Sequence, residues 1–172
     1  MNRRQFLQLA LAAPAAAIIG TKVAAMARHY PLEQLVLTLK RLPANKLSSS
    51  GIWNVSEIFQ HLAQSVRYSR LGYPLANSTL FQYTAGSLAF NAFAAAGTMQ
   101  HPLDEAIPGA PALVNAVPAD VALAELIHEL ELFISWQGDL TPHFAYGNLT
   151  KQQYYSAHYL HIQNHLEQIS LS

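Results

Sequence analysis

Cysteine is absent from the 172 residues, which removes disulfides, thiolate metal ligands and a cysteine nucleophile together. Charge is scarce too, at 12% of residues, with ten Lys and Arg against ten Asp and Glu. No basic stripe is left over for a phosphate backbone, so nucleic-acid binding is excluded. Period-two alternation is missing, as are Asn-Gly and Asp-Gly turns, so no hairpin is expected. With 51% hydrophobic residues the chain is too apolar for disorder. What it does have is eight histidines. Chemistry, if the protein does any, is expected to run through them.

The first residues read as an export signal. Arg3 and Arg4 precede Phe6-Leu7, an Ala-rich apolar run follows to Ile19, and Ala25-Met26-Ala27 fits a cleavage site. Arg-Arg-x-Phe-Leu resembles the twin-arginine type, which implies the twin-arginine machinery as a partner and a periplasmic or otherwise exported location. The run is short and broken by Pro14, below the roughly twenty residues a membrane span needs. A retained signal would leave the protein membrane-tethered. Cleavage after Ala27 leaves one domain, residues 28–172, with the formal charge moved from +0 to −3 by loss of Arg3, Arg4 and Lys22.

The remainder reads as helices between proline- and glycine-bearing loops, an all-α fold. Pro31 opens a helix to about Leu42. Asn54 and Glu57 form a capping box for a helix of about 55–71, closed by Gly72. A third apolar stretch runs from about Ser78 to Ala96. Four prolines between Pro102 and Pro118 define a long connection. Asp120 is expected to cap a fourth helix to about Gln137, and Thr150 with Gln153 to open a last one to about Ile169. The expected architecture is a four-helix bundle with an additional helix between its second and third helices.

Helical phase sorts the histidines. His158, His161 and His165 fall within about 60° of one another beside the apolar arc of the last helix. His161 and His165 are spaced i, i+4, an arrangement that one transition metal can bridge. His61 borders the arc of Val55, Ile58, Phe59, Leu62 and Val66. His128 projects away from Leu123, Leu126, Leu130 and Phe133 and is expected at the surface. His29, His101 and His143 fall in or beside loops. The plain alternative for each core-edge histidine is a packed, hydrogen-bonded imidazole without metal.

Trp53-x-x-x-Glu57-x-x-x-His61-Leu62-Ala63 resembles the second-helix motif of the DinB-like (DinB/YfiT) superfamily, and the segment from His161 to Ile169 resembles its last-helix motif. Gly72-Tyr73-Pro74, the stretch from Phe81 to Phe93, Pro108-Gly109-Ala110-Pro111 and the segment from His143 to Thr150 resemble the family of domain of unknown function 1569. The resemblance implies a four-helix bundle in which His61, His161 and His165 hold a divalent metal, with His158 outside the motif as a hydrogen-bonded neighbour or surface residue. The chain departs from the superfamily in carrying Leu166-Glu167 where Arg-Gly is usual. Between positions 47 and 172 its only basic residues are Arg67, Arg70 and Lys151, so an acidic thiol cofactor is not expected.

The leading expectation is therefore an exported metalloprotein, with zinc or nickel favoured by three neutral imidazoles. Such a site with an open position suits a metal-dependent hydrolase or transferase acting on an unknown small-molecule substrate. Glu57, one turn before His61, is the candidate general base, its alternative role being the capping box alone. Two readings compete. A carboxylate-bridged di-iron bundle needs two Glu-x-x-His motifs, and Glu125-x-x-His128 is the only one. A non-enzymatic bundle would bind an apolar ligand or a partner through Phe81, Tyr83, Phe90 and Phe93. A homodimer is compatible with every reading.

Overall fold

The structure, a computed structural model, describes residues 28–172. The export signal assigned to residues 1–27 lies outside the described residues. Helix α1 (Leu32–Leu39) is followed by a 3-10 turn (Ala44–Lys46) and strand β1 (Leu47–Ser49). Helix α2 (Val55–Leu71) starts and stops where its sequence signals predict. Asn54 Oδ1 accepts the Glu57 N–H at 2.9 Å, and Glu57 Oε2 accepts the Asn54 N–H at 2.8 Å. Gly72 ends it at φ +99°, a conformation that favours glycine.

A short α3 (Thr79–Phe81), capped by Ser78, runs through a π-helical turn (Gln82–Gly86) into α4 (Ser87–Ala96). The turn lets the chain pass close to the Ala145 carbonyl. A Cβ on Gly86 would lie 1.9 Å from that oxygen, so only glycine fits. Helices α5 (Ala119–Ser135) and α6 (Lys151–Leu166) follow, and strand β2 (Ile169–Leu171) ends the fold.

Helices α1, α2, α5 and α6 share one core, with Leu35, Phe59, Leu62, Leu126, Tyr154 and Ile162 buried against one another. Each such side chain contributes roughly 1.5–3 kcal/mol relative to exposure. The α3–α4 segment is the additional element between the second and third bundle helices, packing Phe90 and Ala94 against Ala157 of α6. The expected all-α, bundle-like architecture is the one observed. Arg67 and Arg70 of α2 clasp Glu125 and Glu129 of α5, the Arg67 Nε–Glu129 bond being 2.8 Å. Among the described residues, no helix is long and apolar enough to cross a membrane.

Three details differ from the sequence reading. The N-cap of α5 is Pro118 rather than Asp120, because the proline's fixed φ (−58°) with extended ψ ends the loop one residue before the helix. Asp120 instead lies in the first turn, where its charge complements the helix dipole. Helix α5 also stops at Ser135, and Lys151 Nζ donates to the freed carbonyls of Ile134 (2.9 Å) and Trp136 (2.6 Å). Finally, α6 ends at Leu166 because residues 169–171 pair antiparallel with residues 47–49. Three-residue strands have no detectable period, so this ribbon was not foreseen.

The proline-rich connection is ordered without regular structure because α2 supplies its hydrogen bonds. The Gln60 amide both accepts from Val114 N–H (3.0 Å) and donates to the Val114 carbonyl (2.9 Å). Gln64 donates to the Pro111 carbonyl at 3.0 Å. These bonds tie the connection to the surface of α2.

Candidate metal centre

His61 sits in the second turn of α2, and the capping box fixes that helix's phase. His161 and His165 lie one turn apart on α6, whose start is fixed by a second box in which Thr150 and Gln153 exchange bonds (2.8 and 3.2 Å). The two helices bring the three rings together. Their donor nitrogens all lie within 4.8 Å of one another, and His61 Nε2 and His161 Nε2 are 3.1 Å apart. Tetrahedral imidazole donors at about 2.0–2.1 Å from zinc stand about 3.3 Å from one another, so the spacing is close to that of a ligated set.

The centre is largely buried. His61 and His165 are buried and His161 half-buried. Trp53 covers one side, tilted against His61 (4.9 Å between ring centres) and stacked parallel to His165 (6.2 Å). Burial, reinforced by the neighbouring His101, pushes His61 down to about 4. Burial also takes His165 to about 3, with His61 and His101 adding to the effect, and it holds His161 well below the usual imidazole range. All three are therefore neutral near pH 7, the protonation state a metal requires.

Orphaned buried atoms test whether an ion fits. Among the described residues, His61 Nδ1, His101 Nε2, His158 Nε2 and His165 Nε2 are buried without a hydrogen-bond partner. Buried polar groups are normally paired, and the bare His165 Nε2, within the group of three, is a nitrogen that a metal would satisfy. The Gln168 amide lies 3.3 Å from His165 Nδ1 and fixes that ring with Nε2 toward the group. The residues present fit a divalent ion.

The three histidines singled out in the sequence do come together, while the surrounding shell was read less well. His128 and His29 are exposed, the former as predicted. His158, allowed a surface role, is instead fully buried, stacked on Tyr154 and edge-on to Phe133. Burial, with the Arg70 charge adding, pushes it to about 3. His101 and His143, read only as loop residues, both belong to the site. The His101 ring centre is 4.9 Å from that of His161 and 5.2 Å from that of His165. His143 Nδ1 accepts the N–H groups of Ala145 and Tyr146, and its ring stacks on Tyr146 at 4.3 Å. No helical phase exists for loop residues. The available signal was the histidine beside Pro102 and the turn marked by Gly147.

A cavity of about 420 Å³ opens beside the centre, within the range of small-molecule sites. His61, His101, His143, His158 and His161 line it with Ser65, and the other walls are largely apolar, including Phe81, Phe93 and Met99. Among the described residues, Glu105 is its sole charged lining residue and no Lys or Arg lines it. Glu57 is not on this wall. Its carboxylate is engaged by the Asn54 N–H. Gln64 and Tyr68 point elsewhere, Gln64 to Pro111 and Tyr68 to Tyr73.

The model of one family, described as "Protein of unknown function (DUF1569)", matches residues 26–171. No curated protein and no solved structure matches the chain.

Proposed function

The chain belongs to the DUF1569 family, and from that premise we propose a small exported metalloprotein of the DinB-like superfamily. His61, His161 and His165 hold one divalent ion, zinc or nickel by the borderline character of three neutral imidazoles. The reaction is hydrolysis or group transfer on a largely apolar small molecule that is not anionic. The convergence of three neutral histidines within 4.8 Å, beside a ligand-sized cavity, carries this reading.

When bound, such an ion supplies Lewis-acid chemistry, polarising an oxygen presented to it. The protein's own residues do the rest. Trp53 excludes water from one side, and Gln168 orients His165. Ser65 and His158 offer polar atoms on the cavity wall to orient a substrate. Glu57 acts by position, fixing the start of α2 one turn before His61.

The lack of a lining Lys or Arg among the described residues weighs against an anionic substrate. Arg67 and Arg70 are committed to Glu125 and Glu129, and Lys151 to two carbonyls. None is free to meet an acidic thiol cofactor. Export, read from Arg3 and Arg4 and the cleavage site at Ala27, fits the same exclusion.

Metal analysis of the full chain, purified without a histidine tag, tests the reading. One equivalent of bound ion, lost in His161→Ala, is expected. Metal-free protein that takes up neither zinc nor nickel sinks it. The apolar walls favour one second reading, a non-enzymatic binder of apolar ligands. Ligand binding that is indifferent to both metal and His161→Ala would favour that one.

A further inference from the structure

His101 is not part of the three-histidine motif, yet contacts on either side of it fix its place. Met99, two residues earlier, is buried against Tyr30 and Leu160 and pins the start of the proline-rich connection. His101 Nδ1 lies 2.7 Å from the Pro102 carbonyl. A carbonyl can only accept, so Nδ1 carries the proton and Nε2 is left with a bare lone pair. That Nε2 is buried and has no partner.

The ring geometry says what the lone pair is for. Within the trio, ring centres stand 5.0, 4.9 and 4.9 Å apart. Tetrahedral ligation through imidazole nitrogens at about 2.0–2.1 Å places ring centres about 5 Å apart. His101 meets His161 and His165 at 4.9 and 5.2 Å, the same spacing. It lies outside the trio whose donor atoms all fall within 4.8 Å of one another, and it lines the cavity.

We infer that His101 is a fourth, loop-borne ligand that closes the ion's remaining position. The inference rests on the three-histidine reading and extends it. Three ligands are fixed on helices, while the fourth rides on a connection without regular structure and can be exchanged for a substrate atom. The cavity then communicates with the ion only when His101 yields its place.

Cobalt(II) titration of the full untagged chain distinguishes the possibilities, because d–d absorption reports coordination number and donor type without any activity. The wild type is expected to give the intense visible band of a four-coordinate, all-nitrogen site. His101→Ala and the polar His101→Gln are each expected to weaken binding at least about tenfold, as lost support for a metal does. Their bands should also shift, and added imidazole should restore the wild-type spectrum in His101→Ala. Circular dichroism of both variants checks that the fold persists. Wild-type affinity and spectrum retained in both variants would overturn the fourth ligand and leave the trio standing. Failure of the wild type itself to bind cobalt, zinc or nickel would overturn both.

Discussion

His61 Nε2 and His161 Nε2 stand 3.1 Å apart although one hundred positions separate them in the chain. Two neutral imidazoles so placed share one proton between them or one metal ion. An ion that binds only the folded protein stabilises it by about 2.7 kcal/mol at a hundredfold excess over Kd. For a domain of this size that is about 10 °C in Tm. Zinc or nickel added to chelator-treated protein is therefore expected to raise Tm by about that amount, and His161→Ala to abolish the rise. Scanning fluorimetry checks both, and an unchanged wild-type Tm contradicts the metal reading.

Gln168 is expected to matter for metal and little for folding. Its amide orients His165, while its backbone carbonyl receives the Ser50 N–H at 2.9 Å whatever the side chain. Gln168→Ala should lower metal affinity about 10- to 100-fold, the usual effect of losing a hydrogen bond to a ligand. Competition against a chromophoric chelator measures this. An affinity within twofold of wild type removes Gln168 from the site.

Glu129 holds stability of a different kind. Its side chain is 5% exposed and that of Arg70 is 6% exposed, so Glu129→Ala leaves a buried guanidinium without its partner. The expected cost is about 3–5 kcal/mol in urea unfolding. Replacing both residues by apolar ones of similar volume should recover much of it. A single-variant loss under 1 kcal/mol would show that the clasp is dispensable.

Acid should unfold the metal-stripped protein early. Burial pushes His143 and His158 to about 3 and His61 to about 4, with the neighbouring His158, Arg70 and His101 charges respectively adding to the effect. In the unfolded chain the same groups titrate near 6.5, so between these values the unfolded state binds more protons. Their neutral-state burial is thus without penalty above about pH 6.5, and stability is lost progressively as pH falls from there toward 3. Urea midpoints taken between pH 7.5 and 4.5 should hold steady down to about pH 6.5 and decline below it. A flat profile would contradict the buried, neutral assignment.

Helices α2 and α6 were legible because each begins with a reciprocal side-chain cap and carries its histidines at helical spacing. Both signals are local, and both survived packing unchanged. The end of α6 was not legible, since what stops it is pairing of Ile169 to Leu171 with a strand more than a hundred residues away. Pro118 displaced Asp120 at the α5 terminus because backbone restriction outweighed a favourable side chain. His101 and His143 escaped notice for the same reason as the ribbon. A loop's path is decided by its anchors, here Met99, Gln60 and Gln64, and none of those advertises its partner. Glu57 was readable in two ways, and the geometry places its carboxylate in the cap.

The span between His61 and His161 has a consequence for a chain that cannot form a disulfide. A link between residues one hundred positions apart closes a loop of that length in the denatured chain. Closing it restricts the unfolded ensemble, by about 4–5 kcal/mol for a covalent bridge in the chain-entropy description. A metal clip across the same span acts by the same logic, provided that the ion stays bound to the unfolded chain. Where the ion instead leaves on unfolding, the protein acquires a cross-link that is made and broken by metal supply rather than by redox state.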